Sequence, residues 1–101
     1  MEIPKRYKVG GQPIEVRNVE RCDCNCAGIA SVTSGYIEIA DLFNKDTEQS
    51  YGSKKNTFYH ELVHTILQTM GESELNENEK FVCSFSSFLC EALESAEFYE
   101  P

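Results

Sequence analysis

No run of apolar residues in this sequence exceeds a few positions. A membrane-spanning helix needs about 20, so no membrane partner is expected. Basic residues are scarce, with nine Lys and Arg against seventeen Asp and Glu, for a net charge of −8. Such a field repels phosphate backbones, so nucleic acid is not an expected partner either. The opening Met1-Glu2-Ile3-Pro4-Lys5-Arg6 is followed by no apolar stretch, so a secretory signal is not expected and a cytoplasmic location is. Repeats and low-complexity tracts are missing. So are the CxxC pairs that a structural zinc knuckle would require. Histidine occurs only twice, which leaves no spare imidazole for any site that needs three.

What remains is 101 residues, 41% apolar and 26% charged. That composition excludes wholesale disorder and suits one globular domain spanning 1–101. A chain this short buries only about two-thirds of its unfolded surface, so a bound metal would add appreciably to its stability. The five cysteines are odd in number. Cys22, Cys24 and Cys26 alternate with Asp23 and Asn25. In a strand their side chains would share one face yet stand too far apart to converge on one ion. Reduced thiols are therefore expected. Cys83 and Cys90 read as small core or boundary residues of a helix.

Periodicity divides the chain in two. Tyr7/Val9 and Ile14/Val16 alternate with polar residues around Gly10-Gly11, which predicts a β-hairpin. Residues 27–32 and 35–40 predict a second extended pair around Thr33-Ser34-Gly35. The polar stretch Asp41 to Ser53 predicts a short helical turn and a loop. Tyr59, Leu62, Val63, Ile66 and Met70 then recur at helical spacing, for a helix over about 54–70 closed by Gly71. After an acidic linker at Glu72 to Leu75, Asn76 is the expected N-cap of a helix over about 77–96. That helix carries Phe81, Val82, Phe85, Phe88, Leu89, Ala92 and Leu93. Strands over about 6–40 followed by helices predict an α+β fold, a small antiparallel sheet with helices on one face.

Both histidines fall in one motif, His60-Glu61-Leu62-Val63-His64, inside the first helix. Residues four apart on a helix differ by about 40° in direction, so His60 and His64 can share one ion. Glu61 projects about 100° from His60, within reach of water at the metal without being a ligand. Two imidazoles suit zinc, one ion of which is the expected cofactor. The plain alternative, a solvated HExxH on an exposed helix face, fits poorly beside Leu62, Val63 and Ile66. Paired histidines near a core need partners.

A catalytic zinc needs a third protein ligand and one open position. With no third histidine, the candidates are Glu72, Glu74, Glu77 and Glu79. Glu72 and Glu74 lie too near the end of the first helix to fold back onto its middle. Glu79 shares a helical face with Val82, Cys83 and Ser86 and is preferred, with Glu77 in reserve. Glu79 also has a competing role, since Asn76-Glu77-Asn78-Glu79 is a capping-box pattern.

With these residues in place, the sequence resembles a minimal zincin of the glutamate-ligand type, a gluzincin. It is most similar to ImmA/IrrE-type metallopeptidases and related small phage-borne proteins. Those carry HExxH on one helix and E-x-x-A-N-x-F-A on a following one. Here that stretch reads Glu79-Lys80-Phe81-Val82-Cys83-Ser84-Phe85-Ser86. Glu79 and Phe85 match, whereas Val82, Cys83 and Ser86 replace the family's small or amide residues. The pair of strands ending in Tyr36-Ile37-Glu38-Ile39 also resembles the sheet edge set beside the active-site helix in such enzymes. The likeness covers about residues 27 to 93. It implies His60, His64 and Glu79 as zinc ligands, Glu61 as general base, and a peptide or protein as substrate. An extended peptide would add at Tyr36 to Ile39, and Tyr36, Tyr51, Tyr59 and Tyr99 are the candidate oxyanion donors. The main alternative is a zinc-binding, catalytically idle interaction or regulatory module, of the kind a phage or mobile element carries. An SprT-like, DNA-associated protease would need a third histidine and basic segments, and a metal-free structural domain comes last.

Overall fold

Gly10 and Gly11, both at positive φ (55° and 80°), turn the chain between β1 (Arg6–Val9) and β2 (Gln12–Val19). The two strands pair antiparallel, and alternation puts Ile14 wholly inside while Glu15 faces water. β3 (Gly28–Ser31) and β4 (Tyr36–Ala40) form a second hairpin, turned at Gly35 with φ 77°. A computed structural model, which describes residues 1–100, is the source of these and all following coordinates. It has an α+β architecture of a small mixed sheet and three helices.

The sheet is mixed where an antiparallel one was expected. Its order is β1-β2-β4-β3, and β2 runs parallel to β4, from Glu15 opposite Tyr36 to Val19 opposite Ala40. The chain crosses beyond β4's place to lay down β3 at the edge, then returns to fill the gap. Burial explains the choice: Ile37, Ile39 and Ala40 are all buried, and the most apolar strand takes the inner position. The site-side edge is therefore β3, and the expected docking edge at Tyr36 to Ile39 is already paired on both sides.

Downstream, the expected helical turn and loop are instead a small hairpin, β5 (Leu42–Phe43) with β6 (Thr47–Glu48). Left-handed backbone at Asn44 and Lys45 closes it, and a lysine there gives no sequence signal of a turn. Helix α1 (Tyr51–Met70) starts ahead of the expected boundary because the Ser50 hydroxyl accepts the Ser53 N–H at 3.1 Å. Gly71, at φ 76°, ends it. The acidic linker is a short helix, α2 (Ser73–Glu77). Helix α3 (Glu79–Glu94) is capped not by Asn76 but by Asn78, whose side chain accepts the Phe81 N–H at 3.0 Å. This cap replaces the expected Asn76–Glu79 box and leaves the Glu79 carboxylate free for other work.

Helix α1 is buried on two sides. Phe58 and Tyr59 join Ile14, Ile37 and Ile39 of the sheet, with Tyr7 packed edge-on to Phe58 at 5.9 Å. Val63 and Leu67 meet Val82 of α3. The expected inner residues Ile66 and Met70 lie on the remaining face and are exposed, while Thr65 is buried and bonded to the Tyr7 hydroxyl at 2.9 Å. Phe85, Phe88 and Leu93 also sit outside, because α3 rests on α1 along a narrow stripe through Val82 and Ser86. Among the described residues no helix is long and apolar enough to cross a membrane.

The far end of the α1–α3 pair is clamped by Glu94. Its carboxylate takes bonds from Lys55 Nζ at 2.7 Å, the Met1 amine at 3.1 Å and the Tyr59 hydroxyl at 2.9 Å. Lys55 first, then the Met1 amine and Tyr59, hold this carboxyl at about 2, below its ordinary 4.5. Because the unfolded chain takes up that proton first, the clamp contributes fully above about pH 4.5 and is lost as pH falls toward 2. Thermal melts of wild type and E94Q should differ most at neutral pH and converge near pH 2. A difference independent of pH would contradict the clamp.

Candidate metal centre

The helical repeat of α1 stacks His60 and His64 one turn apart, with ring centroids 4.9 Å from each other and planes at 68°. Both rings are half-buried, and Glu61 between them is buried. From the first turn of α3, Glu79 reaches across. One of its oxygens lies 3.6 Å from His60 Nε2 and the other 3.5 Å from His64 Nε2. Zinc bonds of about 2.0–2.1 Å set the edges of a coordination tetrahedron at about 3.3 Å. Each imidazole nitrogen thus stands at close to such an edge from one Glu79 oxygen, the two imidazoles facing different oxygens of the carboxylate.

The ring nitrogens facing Glu79 are the ones free to bind. His64 Nδ1 is 2.6 Å from Asn76 Oδ1. An amide oxygen only accepts, so Nδ1 carries the proton and Nε2 keeps its lone pair toward the cleft. Burial, and then the neighbouring His64, hold the His60 imidazolium below its ordinary range, with Glu79 opposing. Its neutral form, the one that ligates, is favoured. Burial raises the Glu61 carboxyl above the ordinary range, against the pull of His64 and with the help of Glu79. Such a shift brings a carboxyl toward the pH at which it can exchange protons. Two neutral imidazoles and one carboxylate fit zinc and leave a fourth position for a further donor.

The opposite wall is the start of β3. The cleft has a volume of about 460 Å³ and is lined, beyond the four residues above, by Cys26, Ala27, Gly28, Asn56 and Thr57. Gly28 sits where nothing larger fits. A Cβ there would stand 2.6 Å from Thr57 Cγ2, 3.0 Å from the Glu38 carbonyl oxygen and 3.2 Å from Glu61 Cγ. Buried Gln49 fastens this wall to α1. Its Nε2 donates to the carbonyls of Ala27 at 3.0 Å and Ala40 at 2.7 Å, while its Oε1 accepts from Ser53 and Thr57.

Of the other candidates, Glu77 lies on α2 beside a separate cleft with Val32, Thr33 and Gln68. Glu72 is the N-cap position of α2 and Glu74 lies in its first turn, neither lining this cleft. The four tyrosines are elsewhere too. Tyr59 is buried against Glu94, the Tyr51 hydroxyl accepts from the Ile3 N–H, Tyr36 lies under the Arg17 guanidinium, and Tyr99 is exposed past α3. The thiols differ from expectation as well. Left-handed Asn25 folds the chain so that Cys24 and Cys26 pair as a disulfide, leaving Cys22 buried and free. Cys83, expected in or near the core, is exposed, with its Sγ 3.9 Å from His60 Nδ1. Gln49, Asn56, Asn76 and Cys83 are the neighbours that sequence reasoning missed. Only Cys83 carried a signal, its place one helical turn after Glu79.

Comparisons with protein families, with curated proteins and with solved structures give no match for this chain.

Because Asn76 orients His64, N76A should weaken zinc binding about 10–100-fold in competition with a chromophoric chelator. Unchanged affinity would remove Asn76 from the site.

Proposed function

We propose that this chain is a zinc-dependent peptidase of the gluzincin type, hydrolysing peptide bonds with activated water. One observation carries the reading: Glu79 meets the two imidazoles of HExxH from a different helix, at 3.6 and 3.5 Å, with buried Glu61 lining the same cleft. Such convergence is unneeded for packing, since Glu79 is itself largely exposed.

His60, His64 and Glu79 would hold the ion. Bound zinc supplies a Lewis acid that polarises a carbonyl and makes water nucleophilic near neutral pH. Glu61 takes the proton from the attacking water and delivers it to the leaving amine. Its burial keeps that exchange out of bulk solvent. The cleft volume, about 460 Å³, lies within the range of small-ligand sites and accommodates a short stretch of peptide. The outer edge of β3 borders the cleft at Gly28 and offers unpaired backbone to an extended substrate, a role moved here from β4. Asn56, on the rim one turn before His60, replaces the tyrosines as the candidate donor to the developing oxyanion.

A second reading, a zinc-binding interaction module without turnover, is favoured by one feature, the exposed Cys83 sulphur beside the ligands.

E61Q should bind zinc as wild type does and lose about 10²–10⁴-fold in hydrolysis of a peptide library. Undiminished cleavage by that variant would remove Glu61 from the chemistry.

A further inference from the structure

The loop from Cys22 to Cys26, between β2 and β3, carries chemistry that the metal reading does not use. Cys24 and Cys26 are joined as a disulfide two positions apart, and both are exposed. In the chain-entropy account a disulfide stabilises by closing a loop in the unfolded state, and a loop this short contributes least. Exposed disulfides are typically the ones that exchange with thiols.

The loop keeps its shape by other means. The Asn25 N–H donates to the Cys22 carbonyl at 2.9 Å, and the Asn44 N–H donates to the Asn25 carbonyl at 3.1 Å. Gln49 Nε2 holds the carbonyl of Ala27, the residue after Cys26, at 3.0 Å. Two thiols released in this loop stay side by side, which favours closing the bond again. The remaining cysteine of the run does not compete. Cys22 is buried, and burial first, then the Glu38 and Glu61 carboxylates, hold its thiol above the ordinary range. The two bonded sulphurs also differ in access. Cys26 lines the cleft of about 460 Å³, and Cys24 does not.

We propose that Cys24–Cys26 is a thiol–disulfide exchange site whose co-substrate is a low-molecular-weight thiol of the glutathione class. The incoming thiolate attacks Cys26 Sγ from the open cleft. A new S–S bond forms there, the Cys24–Cys26 bond breaks, and Cys24 leaves as a thiolate that takes a proton from solvent. A second thiolate attacks the outer sulphur of the adduct, expels Cys26 as a thiolate and forms the small disulfide. Two external thiols are oxidised to one disulfide, and the protein disulfide is reduced to two thiols. The reverse sequence restores the bond. No metal takes part, so the site stands or falls apart from the zinc reading.

The test equilibrates the full chain in mixtures of reduced and oxidised glutathione, quenches with acid, alkylates and maps the peptides by mass spectrometry. The pair should pass from disulfide to two alkylated cysteines as the reduced fraction rises. It should return when oxidised glutathione is added back, with the far-ultraviolet circular dichroism unchanged throughout. C24S treated with oxidised glutathione should carry one glutathione on Cys26, trapped because no neighbouring thiol displaces it. Exposed Cys83 is the internal control, since it takes the label whether or not the loop does. A pair that resists reduced glutathione until urea is added would make this a structural bond and overturn the proposal. Loss of the circular dichroism signal on reduction would do the same. C24S labelled at Cys83 and not at Cys26 would overturn the attack at Cys26. Free thiols at both positions after oxidised glutathione would remove the site altogether.

Discussion

Val82, fully buried against Val63 and Leu67, fixes the height at which α3 crosses α1. Everything at the proposed centre follows from that contact. Glu79 is one turn from Val82 on α3 and the histidines are one turn from Val63 and Leu67 on α1, so carboxylate and imidazoles all lie within a helical turn of that contact. Glu94, bonded to Lys55 and Tyr59, secures the other end of the pair and prevents α3 from pivoting. Deleting methyl groups at such a buried site costs about 0.5–1.5 kcal/mol each in stability. A shift in α3 would also separate the donors.

The second wall depends on a different kind of constraint. A sheet edge approaches α1 at Glu61 with no side chain between, as Gly28 permits. Gln49 satisfies two strand-end carbonyls and two helix hydroxyls at once, tying the sheet to the first turns of α1. Its bonds leave Glu61 buried at the base of a cleft bounded by a helix pair on one side and a strand on the other. Burial raises the proton affinity of Glu61, while the nearby imidazole lowers it, so the same geometry that assembles the proposed ligands also conditions the carboxyl proposed as base. The acidic character of the whole chain, at −8, favours cations at such a site over anions.

The features legible in the sequence are those set by local periodicity. HExxH gave the orientation of His60, Glu61 and His64, because helical spacing alone determines it. The two hairpins were announced by alternation and by Gly10-Gly11 and Gly35. The parallel pairing of β2 with β4 was not, since hairpin signals constrain sequential neighbours and say nothing of how two hairpins dock. Asn76 illustrates the same limit. As a residue type it reads as a cap; only the tertiary return of α2 brings its amide to His64, and Asn78 takes the cap instead. The outer phenylalanines of α3 misled for a related reason, as a broad apolar stripe predicts broad burial while helix α1 covers only a narrow part of it.

The central claim is one metal ion shared by two helices. Anomalous diffraction at the zinc edge, on crystals grown with zinc, tests it most directly. The account predicts a single peak about 2.0–2.1 Å from each of His60 Nε2 and His64 Nε2 and about 2.0–2.2 Å from a Glu79 oxygen. Imidazoles turned outward to water, with no anomalous signal between them and α3, would contradict it.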